Sequence, residues 1–297
     1  MARALVVFGL GYSGRAIVEA ARLAGWPVAA VSRSGASGLA VPTVPFADPT
    51  PALAEATHIV LTAPPGEGGD PVLAIHRAAL LSAPRLAWVG YLSTTGVYGD
   101  RGGAKVSETD APTPTKPQSL SRRAAEEAWE EIAARRGVAL DLIRLGGIFG
   151  PGRSPFEDLR AGRARRIIKP GHAFSRIHVA DLAALVLAAA ARPGERGRAR
   201  VLHGVDDEPA PQAEVVLEAA RLLGVPPPPE VPFADAAQMM SPMELGFWSE
   251  NRRVGNALTK QATGWAPRYP SYREGLAAIL AEERGERARE QGKVGRA

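Results

Sequence analysis

The residues best placed to do chemistry near the start of the chain are glycines. Gly9-Leu10-Gly11-Tyr12-Ser13-Gly14 lies between an apolar run, Ala4–Phe8, and a stretch with helical apolar spacing, Ser13–Ala24. A strand that turns through glycines into a helix offers an anion free backbone N–H groups and the positive end of the helix dipole. In this spacing the first glycine makes the tight turn and the second lets the backbone approach a pyrophosphate. The third lets the helix pack close to the strand. Gly9, Gly11, Tyr12, Ser13 and Gly14 are therefore candidate dinucleotide-binding residues; the plainer alternative is a glycine-rich turn without a ligand. Beyond the next apolar run, Pro27–Val31, an NAD site usually carries a carboxylate for the ribose hydroxyls. This chain has Ser32-Arg33-Ser34 there and no acid before Asp48. A guanidinium pairs with the 2′-phosphate that a carboxylate would repel. The expected cofactor is NADP(H) in preference to NAD(H), with Arg33 as a merely solvated loop arginine the alternative.

The elements that must position these residues alternate regularly. Short apolar runs at 4–8, 27–31, 43–46, 58–62, 86–92 and 138–145 read as strands; 13–24, 71–81 and 119–136 read as helices. Strands alternating with helices make βαβ units with right-handed crossovers, hence an α/β fold with a Rossmann-type doubly wound parallel sheet. After Gly150 the rhythm changes: Gly, Pro and Arg become frequent, 179–191 is a clear helix, 200–205 a strand, 211–223 a helix, and Pro226–Pro229 a stiff extended loop. The mixed-charge stretch 282–297 has few apolar residues and reads as a flexible tail.

Composition removes several function classes. With no cysteine, the chain has no disulfide, thiolate metal site or thiol nucleophile. The histidines at 58, 76, 172, 178 and 203 stand singly and form no metal-binding pair, so no metal is expected. Formal charge is 36 − 31 = +5, mild for 297 residues, and no nucleic-acid motif accompanies it. The longest uncharged apolar helical run, Leu182–Ala191, is about half of what a bilayer needs. No nucleic-acid partner and no membrane association are expected, and the expected location is cytoplasmic.

Four stretches together resemble the extended short-chain dehydrogenase/reductase superfamily, of the NAD(P)-dependent epimerase/dehydratase type. They are Gly9–Gly14, Leu92-Ser93-Thr94-Thr95-Gly96-Val97-Tyr98-Gly99, Arg144-Leu145-Gly146-Gly147-Ile148-Phe149-Gly150-Pro151-Gly152, and Arg176-Ile177-His178-Val179-Ala180-Asp181-Leu182. The GxGxxG spacing, in place of GxxGxxG, is closer to a subgroup resembling the bacterial YeeZ-type proteins. The resemblance implies a Rossmann domain over 1–149 plus about 177–204, and a smaller mixed C-terminal substrate domain over about 150–176 and 205–281. It implies that Thr94 holds the catalytic Ser/Thr position, donating a hydrogen bond to a substrate oxygen. Ala63, Pro64 and Pro65 match the loop over the adenosine ribose, and Leu145, Gly146 and Ile148 the loop near the nicotinamide. Family members often dimerise through the helix at 119–136 and its neighbour, so the resemblance allows a homodimer; the exposed face of this helix is not diagnostic, and the oligomeric state stays open.

The departure from the family lies in its Tyr-x-x-x-Lys pair. Counting back from Ala124-Ala125-Glu126-Glu127 puts Gln118 at the tyrosine position and Arg122 at the lysine position, and no tyrosine of the chain has a lysine four residues on. Glutamine has no proton to exchange near neutral pH, and arginine barely titrates. Arg122 could still hold the nicotinamide ribose. Tyr98 and His178 are candidate substitutes, each with a structural role as the alternative. Two readings follow. One is an NADP(H)-binding oxidoreductase or epimerase-like enzyme with altered catalytic residues, passing hydride to or from a small carbonyl or hydroxyl substrate. The other is a non-catalytic NADP(H)-binding redox sensor or regulatory protein. Arg160, Arg163, Arg165, Arg166 and Lys169 could bind an anionic substrate or simply form a solvated face.

Overall fold

A computed structural model of the chain describes residues 3–294, with side chains described as far as Gly285. Its frame is a seven-stranded sheet, parallel at every pairing. In chain order its elements are β1 (Leu5–Phe8), α1 (Tyr12–Leu23), β2 (Val28–Ser32), β3 (Thr43–Pro45), β4 (His58–Leu61), α2 (Pro71–Ser82), β5 (Trp88–Thr94), α3 (Pro117–Arg136), β6 (Ala139–Leu145), α4 (Val179–Ala191) and β7 (Ala199–Gly204). The strand order is β7-β6-β5-β4-β1-β2-β3. The chain winds one way from β1 to β3 and the other way from β4 onward, so the switch falls between β1 and β4. Ligands of such sheets bind outside the carboxyl ends of the strands at that point.

The central strands are apolar throughout because both faces are covered. Leu5 and Val7 of β1 pack on one side with Ile17 and Val18 of α1 and Leu182, Leu185 and Val186 of α4. Val6 and Phe8 face the other way, with Leu73 and Leu80 of α2 and Trp129 and Ile132 of α3. Local chemistry sets the helix ends. Asp70 accepts the N–H groups of Val72 and Leu73 at 2.9 and 3.0 Å, with Pro71 following it. Gly137, in the left-handed conformation, closes α3.

The rest of the chain is assembled from short pieces. Three two-stranded parallel pairs join Gly147–Phe149 to Arg176–His178, Arg166–Ile168 to Glu230–Pro232, and Lys105–Val106 to Arg253–Val254. A further core cluster unites Phe149 and Phe156 with Val215 and Ala219 of α5 (Gln212–Leu223) and with Tyr272, Leu276 and Ile279 of α6 (Tyr272–Val294). α6 runs through most of the stretch that composition suggests as a tail, and Glu283 on it pairs with Arg160; residues 295–297 lie outside the described residues. Among the described residues no helix is long and apolar enough to cross a membrane, and no His/Asp/Glu group could hold a metal ion.

Candidate functional site

Parallel pairing brings the separate sequence candidates to one edge of the sheet. Phe8 of β1 pairs with Val31 of β2 and Leu61 of β4, so Gly9–Gly14, Ser32-Arg33-Ser34 and Ala63-Pro64-Pro65 all leave the sheet side by side. The three glycines of the loop have different reasons to be glycine. Gly9 has φ +95°, and a Cβ there would meet Thr62 Oγ1 at 2.6 Å. A Cβ on Gly14 would lie 2.0 Å from the carbonyl oxygen of Gly9. A Cβ on Gly11 would meet nothing within 4 Å. The fold therefore requires Gly9 and Gly14 for its own packing, whereas the space at Gly11 is open. Gly11 also caps α1 without a side-chain hydrogen bond, and the first turn carries no acid. The N–H groups and the dipole thus face that space uncompensated.

Thr62, which sequence reading passed over, holds the loop. Its hydroxyl lies 3.0 Å from both the Phe8 and Gly9 carbonyls. Tyr12 ties the loop to the far side of the crevice by donating to the Pro151 carbonyl at 2.9 Å; burial pushes this phenol up to about 12, so it stays a donor. At the end of β2, Ser32 Oγ donates to the Ala36 carbonyl at 2.9 Å and closes a turn that leaves Arg33 exposed, with no ion pair among the described residues.

The second group of candidates meets farther along the same edge. Thr94 at the end of β5 is the register partner of Leu145 at the end of β6. Thr94, Leu145, Gly146 and Ile148 line one cavity of about 400 Å³, with Phe174, Arg176, Phe247, Trp248 and Arg153 among its other walls. A larger cleft of about 1040 Å³ adjoins it and shares Arg153, Arg176, Gln212 and Trp248. Thr94 Oγ1 accepts the Gly96 N–H at 3.0 Å, which fixes the oxygen and leaves its own proton free to donate.

A buried charge network sets this corner. Glu126, fully buried on α3, takes the guanidinium of Arg144 on β6 through both oxygens, at 3.0 and 2.8 Å, and accepts from Ser93 Oγ at 2.6 Å. Arg144 in turn lies over the Tyr98 ring, 4.8 Å from its centroid. The residue before Thr94 and the residue before Leu145 are thus clamped to one helix. Both Glu126 and Arg144 stand in stretches that sequence reading singled out, but only a cross-strand contact reveals their task.

The candidate acid/base residues are placed elsewhere. Tyr98 is fully buried and lines neither cavity. The Gly255 carbonyl, 2.6 Å from His203 Nδ1, can only accept, so Nδ1 carries the proton and Nε2 accepts the Tyr98 hydroxyl at 2.6 Å. That hydroxyl belongs to the packing, not to the open site. His178 accepts the Ala180 N–H at 3.2 Å as the cap of α4 and packs against Tyr269 and Phe149; burial pushes it down to about 4, so it stays neutral. Gln118 is exposed on the first turn of α3 and lines neither cavity. Arg122 reaches back to the Leu92 carbonyl at 2.9 Å and over the Tyr91 ring. The basic run at 160–169 is largely spent: Arg160 pairs with Glu283, Arg163 with Asp158, Arg166 with Glu230, and Lys169 donates to the Trp248 carbonyl.

Comparison with known proteins gives this geometry a context. No family model matches the chain. Of the curated relatives, a 3-diazoavenalumate denitrifying reductase of a Streptomyces species is 32% identical over 184 residues, 59% of each chain. The match thus spans less than two thirds of that relative. Protein YeeZ of Escherichia coli is 29% identical over 248 residues, covering 75% of this chain and 85% of YeeZ. Of solved structures, a functionally unknown conserved protein from Silicibacter pomeroyi is 40% identical with a TM-score of 0.83, covering 95% of this chain and 99% of that one. MoeE5 with UDP-glucuronic acid and NAD superposes with a TM-score of 0.73 at 20% identity, again over 95% and 99%. A human epimerase family protein with NADPH gives 0.70 at 19%, over 93% and 98%.

Proposed function

The chain has the fold of the extended short-chain dehydrogenase/reductases and is of one family with the Silicibacter pomeroyi protein, and on that premise we propose that it is an NADP(H)-preferring oxidoreductase. The observation that carries this reading is the open space at Gly11, beside two glycines that the chain's own packing forbids from carrying a side chain. That is the shape a pyrophosphate requires at a helix N-terminus. Gly9 to Gly14 would hold the pyrophosphate, Ala63 to Pro65 the adenosine ribose, and Arg33, exposed and without an ion pair among the described residues, the 2′-phosphate. A bound nicotinamide would supply or accept the hydride. The chain's own residues orient the other reactant: Thr94 donates to a substrate oxygen, and Leu145, Gly146 and Ile148 shape the wall beside it.

Net reduction of a small substrate suits the site better than epimerisation. With Gln118 and Arg122 in place of a titrating pair, neither position can exchange a proton. Epimerisation needs a base to take the alcohol proton and an acid to return it, whereas reduction needs one proton on the new alkoxide, which water entering the open cavity can supply. The relative named a reductase, MoeE5 with its NAD and the human protein with its NADPH fit a redox role. The same two residues favour a second reading, a non-catalytic NADP(H) binder that senses redox ratio. Calorimetric titration with NADPH and NADH separately tests the shared premise, with NADPH expected to bind more tightly. A screen of carbonyl and other reducible substrates for NADPH consumption then separates enzyme from sensor. Binding of neither nucleotide overturns both readings.

A further inference from the structure

Arg176 occupies the junction of the two cavities and lines both. Its Nη1 donates to the carbonyls of Phe174 at 2.8 Å and Ala210 at 2.9 Å. Those two residues are bridged to each other by backbone hydrogen bonds of 3.0 and 3.1 Å, so the guanidinium is gripped by a rigid frame. Both protons of Nη1 are thereby used. Nε and Nη2, which form the other edge of the fork, have no hydrogen-bond partner among the described residues, and neither is buried from the cavity. Nor does Arg176 make an ion pair among the described residues. The acid beside it, Asp206, makes no hydrogen bond through either carboxyl oxygen, and burial pushes it up to about 8, leaving it largely protonated at neutral pH. Burial lowers Arg176 itself only to about 10, so it remains a cation. A fixed, partly buried cation without a counter-charge is costly unless a ligand supplies one.

The surroundings describe that ligand. The Arg176 guanidinium lies over the Phe174 ring, 5.6 Å from its centroid, and Phe174 packs edge-on against Trp248 at 5.0 Å. Phe247, although 66% exposed, joins the same wall. The junction's other polar side chain, Gln212, is spent on the Ile167 N–H and the Arg165 carbonyl. Arg153, the other arginine there, lies over the ring of Tyr12 in the glycine loop, on the cofactor's side. One free guanidinium edge presents two parallel N–H groups, which match the two oxygens of a planar carboxylate. A phosphate dianion would call for more cations on the same spot; of the other arginines lining the two cavities, Arg163 and Arg252 are ion-paired, Arg153 lies over Tyr12 and Arg165 reaches Met239.

We propose that Arg176 is the specificity-determining residue of the site, and that the substrate is a carboxylate with a flat apolar body. The carboxylate sits on the free Nε/Nη2 edge, the body lies against Phe174 and Trp248, and the reacting end points to Thr94. This rests on the oxidoreductase reading of the same cavity.

The test is calorimetry on NADPH-loaded protein with 2-naphthoate, its neutral isostere 2-naphthamide, and inorganic phosphate as competitor. Naphthoate should bind saturably, naphthamide at least tenfold more weakly, and phosphate should not displace naphthoate. Arg176→Gln should lower naphthoate affinity at least tenfold with NADPH affinity unchanged, and Arg176→Lys should recover part of it. Equal binding of acid and amide, no saturable naphthoate binding, displacement by phosphate, or an Arg176→Gln protein with full affinity would each overturn the proposal. The acid–amide comparison needs no variant, so it decides even if Arg176→Gln fails to fold. Protein that binds NADPH but not naphthoate sinks this inference alone; protein that does not bind NADPH sinks the reading beneath it.

Discussion

The two ends of the crevice are built by different means. The end proposed to hold the nucleotide is made by the first 65 residues: one glycine loop, two strand ends and a threonine brace, with no charged side chain in the loop itself. The end proposed to hold the substrate gathers side chains from Thr94 to Val254 and depends on contacts between residues far apart in sequence, such as Glu126 with Arg144 and Tyr98 with His203. Local backbone rules suffice for the first. The second exists only when the whole chain has folded, so it is where a damaged core should first be felt.

Breaking the Glu126–Arg144 pair should therefore have the largest effect. Arg144→Leu leaves a fully buried carboxylate held only by Arg123 at 3.0 Å and by Ser93, and loss of one partner of a buried pair costs up to about 3–5 kcal/mol. Chemical denaturation should show a loss of that order. A loss below about 1 kcal/mol would mean that the corner holding Thr94 does not depend on this network.

Next in size is Thr94→Ala. Removing a hydrogen-bond donor aimed at a developing oxyanion costs about 2.7–4 kcal/mol in rate. Turnover should fall accordingly while NADPH affinity and stability stay put, because the Gly96 N–H that Thr94 accepts is a single turn contact. Unchanged turnover would remove Thr94 from the chemistry and favour the sensor reading.

The glycines sharpen the contrast within the nucleotide end. Gly14→Ala drives a methyl into the Gly9 carbonyl, and overpacking of that kind costs about 1–3 kcal/mol and should abolish NADPH binding. Gly11→Ala meets only open space. It should leave stability within about 0.5 kcal/mol of the parent yet still weaken NADPH binding. If Gly11→Ala binds NADPH normally, the loop is a structural turn and not a cradle. Arg33→Asp is a milder change at an exposed residue: roughly tenfold weaker NADPH binding is expected from losing one charged hydrogen-bonding partner, with NADH relatively favoured. Equal loss of both nucleotides would end the NADP(H) assignment.

These contrasts also explain what could be read without coordinates. The sheet was legible because β1, β4 and β5 are apolar runs buried on both faces, and Gly9–Gly14 because its spacing answers to backbone geometry alone. Thr94, Leu145, Gly146 and Ile148 could be selected from a family pattern, and they share one cavity. Thr62 was not legible, since a threonine at a strand end has no local signature. Arg176 stood inside a quoted motif, but its free edge depends on carbonyls from Phe174 and Ala210 that only a bridge between distant segments brings together. The run at 160–169 leaves an anion site and a solvated face both open in the sequence for the opposite reason: two of its acidic partners, Glu230 and Glu283, lie far along the chain.

The charge state of the junction between the two cavities is open to a test by pH. Asp206 is 2% exposed and, raised by burial to about 8, it binds a proton in the folded chain that the unfolded chain has already released above about 4. Its contribution to stability is thus fully present below that lower value and is lost as pH rises through 8. The other acids near it are engaged, Asp207 with Lys260 and Glu208 with Arg273, and Arg176 is the cation that opposes the shift. Asp206→Asn keeps the neutral shape and cannot ionise. The parent should lose melting temperature between pH 6 and pH 9 relative to this variant, and its affinity for 2-naphthoate should fall over the same interval as the ionised Asp206 competes for Arg176. The variant should hold both nearly constant. Parallel pH profiles for the two proteins would place the charge balance of the junction elsewhere than on Asp206, while leaving the acid–amide comparison at Arg176 to stand or fall on its own.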